Sequence, residues 1–301
     1  MNTVYFDPDF ADDKTRHQLY EGQVFVYSPR PNSTALCEFA RELIEDAFKG
    51  VDPRTAQDSM AVEEYASLLS QLKPSFIHHP KSKELLRKLL SEMGCDREKT
   101  YFDVPRMRSS TSGDYLTTGI AYAWHPHRDT WYSAPGCQLN WWIPIYGIAS
   151  ENAMAFHPRY WAKPVRNDSA KYNYAEWNKN FRFNASQFIK EDPRPLPRAT
   201  ESVEIDPQLR IVCPAGGIIL FSGAHMHSSV PNTSGVTRFS IDFRTVHLDD
   251  VVGYNGAPNV DAECTGTTMG DYLRLSDLAH LPADVIENYE KNGPALKSQR
   301  G

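Results

Sequence analysis

Hydrophobic and polar positions change period along this chain, and the changes divide it. Residues 22–29, Gly-Gln-Val-Phe-Val-Tyr-Ser-Pro, read as a short apolar strand. Residues 32–50 carry apolar positions at helical spacing, with Asn32 or Ser33 as the expected cap and Gly50 as the expected stop. Two more helical patterns follow at 60–72 and 82–93, and their apolar faces are expected to cover a sheet from outside. From Tyr101 onward strand patterns dominate: 116–124, then 138–146, then a strand, tight turn and strand around Ala215, Gly216 and Gly217. In the last strand Arg238, Ser240, Asp242 and Arg244 share one face while Phe239, Ile241 and Phe243 share the other. After Val252 the chain turns rich in Gly and Asn and ends in a helical pattern at 282–291.

The pattern predicts a single domain over 1–301, with a strand and helical part at 1–100, a core at 101–252 and a C-terminal extension at 253–301. Residues 157–200 interrupt the core. This stretch contains Tyr160, Trp161, Tyr172, Tyr174, Trp177, Phe181 and Phe183, enough aromatic surface to favour order. A connection of this length is expected to be a lid over a site or a contact between subunits, as in a homodimer.

Candidate chemistry sits in two segments. In Trp-His-Pro-His-Arg-Asp, His127 and Asp129 are two residues apart, so a strand aims both at one point and sends Arg128 the other way. A second histidine from a distant strand, His227, would complete a 2-His-1-carboxylate triad, the arrangement that holds non-haem Fe(II) and leaves positions open. Arg238 follows His227 by eleven residues on the polar face of its strand. His125 and His225 each stand two residues before a chosen ligand and share its strand face. They remain alternatives, or partners that orient the ligands, or polar residues at strand ends.

With these residues the chain resembles the Fe(II)/2-oxoglutarate-dependent dioxygenases, in the phytanoyl-CoA dioxygenase-like family, over about residues 120–244. The stretch from Ile143 to Pro158 is similar to that family's Glu-Asn-Gly and Pro-Gly-Ser-His segment, with Ala153 in place of Gly and His-Pro-Arg-Tyr-Trp in place of the second motif. The resemblance implies an all-β core with peripheral helices, a double-stranded β-helix or cupin-like jelly roll with the N-terminal helices packed outside. It implies His127, Asp129 and His227 as iron ligands and Arg238 as the group that binds the far carboxylate of 2-oxoglutarate, with Ser240 adding a hydroxyl. It also implies O₂ as the oxidant and succinate and CO₂ as products. Members that halogenate have a small residue at the carboxylate position, so the presence of Asp129 points to hydroxylation, desaturation, cyclisation or dealkylation.

Gln138, Asn140 and Trp142 on one strand face, and Tyr122 and Trp124 on another, are further candidates to touch the co-substrate. Arg106, Arg108, Arg159, Trp161, Lys163 and Arg166 are candidates to hold an anionic substrate group, since Arg matches carboxylate or phosphate geometry. The expected substrate is a small polar, anionic metabolite of the kind modified in natural-product tailoring. A metal-binding barrel without catalysis, or one without 2-oxoglutarate, is the alternative.

Composition narrows the partners. A net charge of −6 gives no general attraction to nucleic acid or anionic membrane. Five widely spaced cysteines without a Cys-x-x-Cys pair read as free thiols in a reducing compartment. The charged N-terminal stretch does not look like a signal peptide, and no run has the roughly twenty apolar residues of a membrane span. The cytoplasm is the expected location.

Overall fold

The computed structural model describes residues 3–113, 115–117, 125–182 and 192–292. Most of the strand expected at 116–124, with Tyr122 and Trp124, lies outside the described residues, as does Phe183.

An eight-stranded sheet forms the backbone of the molecule. Its strands run in the order β1 (Val4–Phe6), β2 (Val24–Tyr27), β8 (Ile218–Ser222), β5 (Leu139–Pro144), β10 (Arg238–His247), β3 (Thr100–Phe102) and β11 (Leu273–Arg274), with β4 (Arg106–Ser110) also paired to β10. Only β1 and β2 pair in parallel. A second sheet has three short strands in the order β7 (Leu209–Ile211), β6 (Met154–Phe156) and β9 (His227–Ser229).

The alternation read from the sequence decides which way each sheet faces. Phe239, Ile241 and Phe243 of β10, with Leu139, Trp141 and Ile143 of β5, pack against helices α2 (Pro31–Phe48), α3 (Val62–His78) and α4 (Pro80–Glu92). In α2 the buried residues Leu36, Phe39, Ala40, Ile44 and Phe48 recur at helical spacing, so one stripe meets the sheet. On the opposite face Val24, Val26, Trp142, Ile219 and Phe221 meet Met154, Phe156 and Ile211 of the small sheet. Burial at about 25 cal/mol per Å² on both faces holds the layers together, and the space between the sheets is where polar side chains of β5 and β10 converge.

The all-β expectation is corrected: the fold is mixed α/β, with seven helices covering more of the described chain than the strands do. The strands are short, three residues each throughout the small sheet, while a full apolar face of the large sheet needs helical cover. Helix boundaries also shift. α2 starts at Pro31, whose fixed φ and missing N–H suit a first turn, and Ser33 accepts from Arg30 N–H at 2.9 Å as an internal brace. α3 runs on through Pro74 to His78. Gly50, with φ of +88°, does follow the end of α2.

The described part of 157–200 is ordered by aromatic packing. Tyr160, Val165 and Tyr172 cluster with Trp131, Met226, Ala262 and Cys264, and α5 (Tyr174–Asn180) adds Tyr174 and Trp177. All five cysteines are free. Among the described residues no helix is long and apolar enough to cross a membrane.

Candidate active site

His127 and His227 form a two-bond antiparallel bridge, each backbone N–H donating to the other's carbonyl at 3.0 Å, which sets the rings side by side with centroids 4.4 Å apart. Asp129 is not on a strand, as the spacing had suggested, but opens a 3-10 turn at Asp129–Tyr132. Its N–H donates to Gly223 O at 2.8 Å, and the turn still carries its carboxylate back to the histidines. Gly223 packs closely there: a Cβ would come within 3.1 Å of Gln138 Nε2 and 3.5 Å of Asp129 Cβ, so Gln138 would have to give by a few tenths of an ångström. Asp129 Oδ1 lies 3.5 Å from His127 Nε2 and 3.8 Å from His227 Nε2, and one ligand atom from each residue falls within 4.8 Å of the others. All three residues are buried.

Arg128 turns the opposite way, as strand geometry demands, into a fully buried pocket. It pairs with Asp261 Oδ2 at 3.1 Å and donates to the carbonyls of Ala224 at 2.7 Å, Lys163 at 3.1 Å and Tyr160. Asp261 also accepts from Trp131 Nε1 and Val165 N–H. The metal-ligand segment, the 157–200 stretch and the C-terminal extension are thereby tied at one buried ion pair.

The histidine tautomers are set by main-chain carbonyls. His127 Nδ1 donates to His125 O at 2.7 Å and His227 Nδ1 to His225 O at 2.9 Å, so both Nε2 lone pairs face the triad centre. His125 and His225 therefore serve through their backbones. The His225 ring itself donates from Nε2 to Gly22 O at 2.8 Å, under Trp161, whose ring centroid is 4.7 Å away.

The carboxylate is divided between two tasks. Asp129 Oδ2 accepts from Gln138 Nε2 at 3.0 Å and Asn140 Nδ2 at 2.8 Å, leaving Oδ1 toward the histidines. Gln138 also donates to Asn140 Oδ1 at 2.9 Å and accepts from Tyr272 Oη at 2.7 Å. A carboxylate only accepts, so these contacts fix both amide orientations. Burial would push the Asp129 carboxyl up, but the His127 ring and then the charge of Arg244 outweigh it and hold it well below the usual range. Burial, then the adjacent His127, pushes His227 down to about 3, so its ring stays neutral. Gln138→Ala is expected to weaken divalent-metal binding about 10- to 100-fold, the range for loss of a group that orients a ligand. Anaerobic titration with Co(II) reads this directly, and unchanged affinity would remove the clamp from the metal's support.

The triad opens into a cavity of about 660 Å³. Arg238 lines it from β10, donating from Nη1 to Asn152 O at 2.9 Å and from Nη2 to Ser229 Oγ at 3.2 Å, over the ring of Trp142 at 5.5 Å. Its Nε has no hydrogen-bond partner, and among the described residues no carboxylate lies within ion-pairing distance. Burial pushes the guanidinium down to about 10. A buried cation short of an anion, lining the same cavity as two histidine nitrogens and one free carboxylate oxygen, fits an iron ion with a dicarboxylate in that cavity. Ser240 lies on the same strand face, fully buried, with Oγ unpartnered, but does not line the cavity.

Of the substrate candidates, Arg106 and Arg108 line the cavity, paired with Asp103 and with Asp242 at 2.6 Å. Arg159, Trp161 and Arg166 are not brought to it: Arg159 pairs with Glu204, Arg166 with Glu201 at 3.0 Å, and Trp161 packs on Gly22 and His225. Surface acids and an apolar shelf close at hand claimed them first. Tyr132, Tyr172, Trp177 and Tyr272 line the cavity without having been singled out for this role. Tyr272 lies in an irregular C-terminal stretch with no periodic signal, whereas Arg244 was visible on the polar face of β10.

A buried His-Asp-His triad of this kind, sharing a cavity with a buried arginine, fits the oxygenases that use 2-oxoglutarate. The family described as Phytanoyl-CoA dioxygenase (PhyH) matches residues 26–240, and the chain belongs to that family. It is an Fe(II)/2-oxoglutarate-dependent dioxygenase. Among solved structures it is similar to the epimerase SnoN in complex with Fe3+, alpha ketoglutarate and nogalamycin RO, at 12% identity over 78% of this chain and 85% of that one, with a TM-score of 0.38. It is similar also to the alpha ketoglutarate dependent carbocyclase SnoK from nogalamycin biosynthesis, at 13% identity, 78% and 83% coverage and a TM-score of 0.38. AviO1 from Streptomyces viridochromogenes Tue57 follows at 13% identity, 79% and 96% coverage and a TM-score of 0.39. Among curated proteins none matches the chain.

Proposed function

We propose that the protein oxidises a C–H bond of a small polar metabolite, by hydroxylation or a related desaturation, cyclisation or dealkylation, with release of succinate and CO₂. The observation that carries this is the pairing of the buried triad with Arg238 in one cavity. His127 Nε2, His227 Nε2 and Asp129 Oδ1 would hold Fe(II), and Arg238 would take the far carboxylate of 2-oxoglutarate. The bound metal would supply O₂ activation coupled to oxidative decarboxylation of the co-substrate. This chain's residues orient the ligands through the His125 and His225 carbonyls and the Gln138–Asn140 clamp, and they wall the site from bulk water.

The N-terminal helices, the core, the 157–200 stretch and the C-terminal extension each contribute to the cavity wall, through Ile77, Asn140, Tyr172 and Tyr272 among others, which supports reading the chain as one catalytic unit. The facing of the two sheets fits a double-stranded β-helix. The position of Tyr172, Tyr174 and Trp177 in the wall favours a covering role for the 157–200 stretch over a subunit contact. The role in natural-product tailoring and the cytoplasmic location stand as part of the same reading. Succinate release on aerobic incubation with Fe(II), 2-oxoglutarate and a panel of amino-acid-like and acyl-CoA metabolites tests it. Stimulation confined to acyl-CoA thioesters would replace the small-metabolite assignment.

A further inference from the structure

Beside the triad, toward the end of β10 away from Arg238, lies a cluster of three arginines and three aspartates whose hydrogen bonds are unevenly shared. Arg106 pairs with Asp103, and Arg108 takes both oxygens of Asp242, at 2.6 and 3.4 Å. Asp103 Oδ1 further accepts the backbone N–H of Arg244 at 2.7 Å. The third arginine, Arg244, lies within ion-pairing distance of three carboxylates: Asp242 at 3.2 Å and Asp103 at 3.6 Å from Nη1, and Asp129 at 3.7 Å from Nε. None is aligned as a hydrogen bond to its side chain, and Asp129 is committed to the triad. Arg244 therefore has carboxylates around it but, among the described residues, no hydrogen bond from its guanidinium, and it lines the cavity.

A guanidinium holds a carboxylate through two parallel N–H donors, and a partly desolvated one gains most from doing so. The arginine of the same strand that would hold the co-substrate, Arg238, is six residues away, on the order of 20 Å along an extended strand. The cavity is also walled by Tyr132, Tyr172 and Trp177, whose rings make a connected series, Tyr132 to Tyr172 at 5.8 Å and Tyr172 to Trp177 at 6.3 Å. Among the described residues Trp177 Nε1 has no hydrogen-bond partner.

We propose that Arg244 is the receptor for an anionic group of the substrate, a carboxylate in the first instance, on a compact molecule whose apolar or aromatic body lies against Tyr132, Tyr172 and Trp177. The inference rests on the oxygenase reading and adds to it the substrate class and the residue that selects it. Arg106 and Arg108, the arginines legible from sequence, act here by taking the side-chain hydrogen bonds of Asp103 and Asp242, which leaves the guanidinium N–H groups of Arg244 without one among the described residues.

The test uses the full chain loaded anaerobically with Fe(II) and 2-oxoglutarate, with phenylacetate and its neutral isostere phenylacetamide as calorimetric probes. Wild type is expected to bind the acid about tenfold or more tighter than the amide, the scale of a hydrogen bond to a charged group. Arg244→Gln is expected to erase that preference and Arg244→Lys to keep part of it, with the visible band of the metal chelate unchanged in both. A wild type that binds neither probe, or prefers the amide, overturns the proposal. So does an Arg244→Gln variant that loses 2-oxoglutarate affinity but keeps the acid preference, since the guanidinium then serves the co-substrate. Absence of the chelate band in wild type would instead count against the oxygenase reading, and is read before any probe is added.

Discussion

Asp129→Ala is expected to lower Fe(II) affinity by more than about 100-fold, beyond the 10- to 100-fold typical for losing an outer partner of a ligand. The site has three protein donors, and this change removes the only anionic one. It also strands Gln138 Nε2 and Asn140 Nδ2, which donate to Asp129 Oδ2 at 3.0 and 2.8 Å, and an unsatisfied buried donor costs about 1–3 kcal/mol. Arg244 loses a neighbouring carboxylate as well, so the cavity becomes more positive just where a dication must bind. Anaerobic Fe(II) titration, with circular dichroism to confirm folding, measures the effect. Retention of wild-type affinity would mean that the metal sits elsewhere.

Arg238→Leu should separate metal from co-substrate. Fe(II) binding is expected to persist, because Arg238 touches no member of the triad, while apparent 2-oxoglutarate affinity falls on the order of 100-fold through loss of two charge-assisted hydrogen bonds. The direction follows from the environment: a guanidinium pushed down to about 10 by burial, without a carboxylate of its own, is held in reserve for a bound anion. The weak visible charge-transfer band of the Fe(II) chelate, titrated with 2-oxoglutarate in both proteins, reads the two steps apart. Equal 2-oxoglutarate affinities would remove Arg238 from the co-substrate site and leave an oxygenase that takes its electrons from another source.

Part of this site was legible because strands have a period of two: the row Arg238, Ser240, Asp242 and Arg244 could be assigned to one face from spacing alone. His127 and Asp129 were legible as a pair, but a 3-10 turn and not a strand brings them together. Spacing could not say which polar residues on those faces would be spent on one another. Gln138 and Asn140 were candidates for the co-substrate; the structure places them in the cavity wall with their amides on Asp129, a contact that spacing gave no hint of. Arg159 and Arg166 looked equivalent to Arg106 and Arg108 as sequence, yet one pair meets surface glutamates and the other lines the cavity. Tyr272, which holds Gln138 in place, sits about 130 residues away in an aperiodic stretch.

By itself the sequence determined the His127, Asp129 and His227 set and the apolar faces that make the sheet, since these depend on residue type and local period. The tertiary structure alone decided the division of labour among the polar residues. Hydrogen bonds and ion pairs saturate, so a donor's role depends on which acceptor the fold brings near it first. That is why Arg128 ties three segments together, Gln138 steadies a ligand, and Arg244 is left with donors to offer.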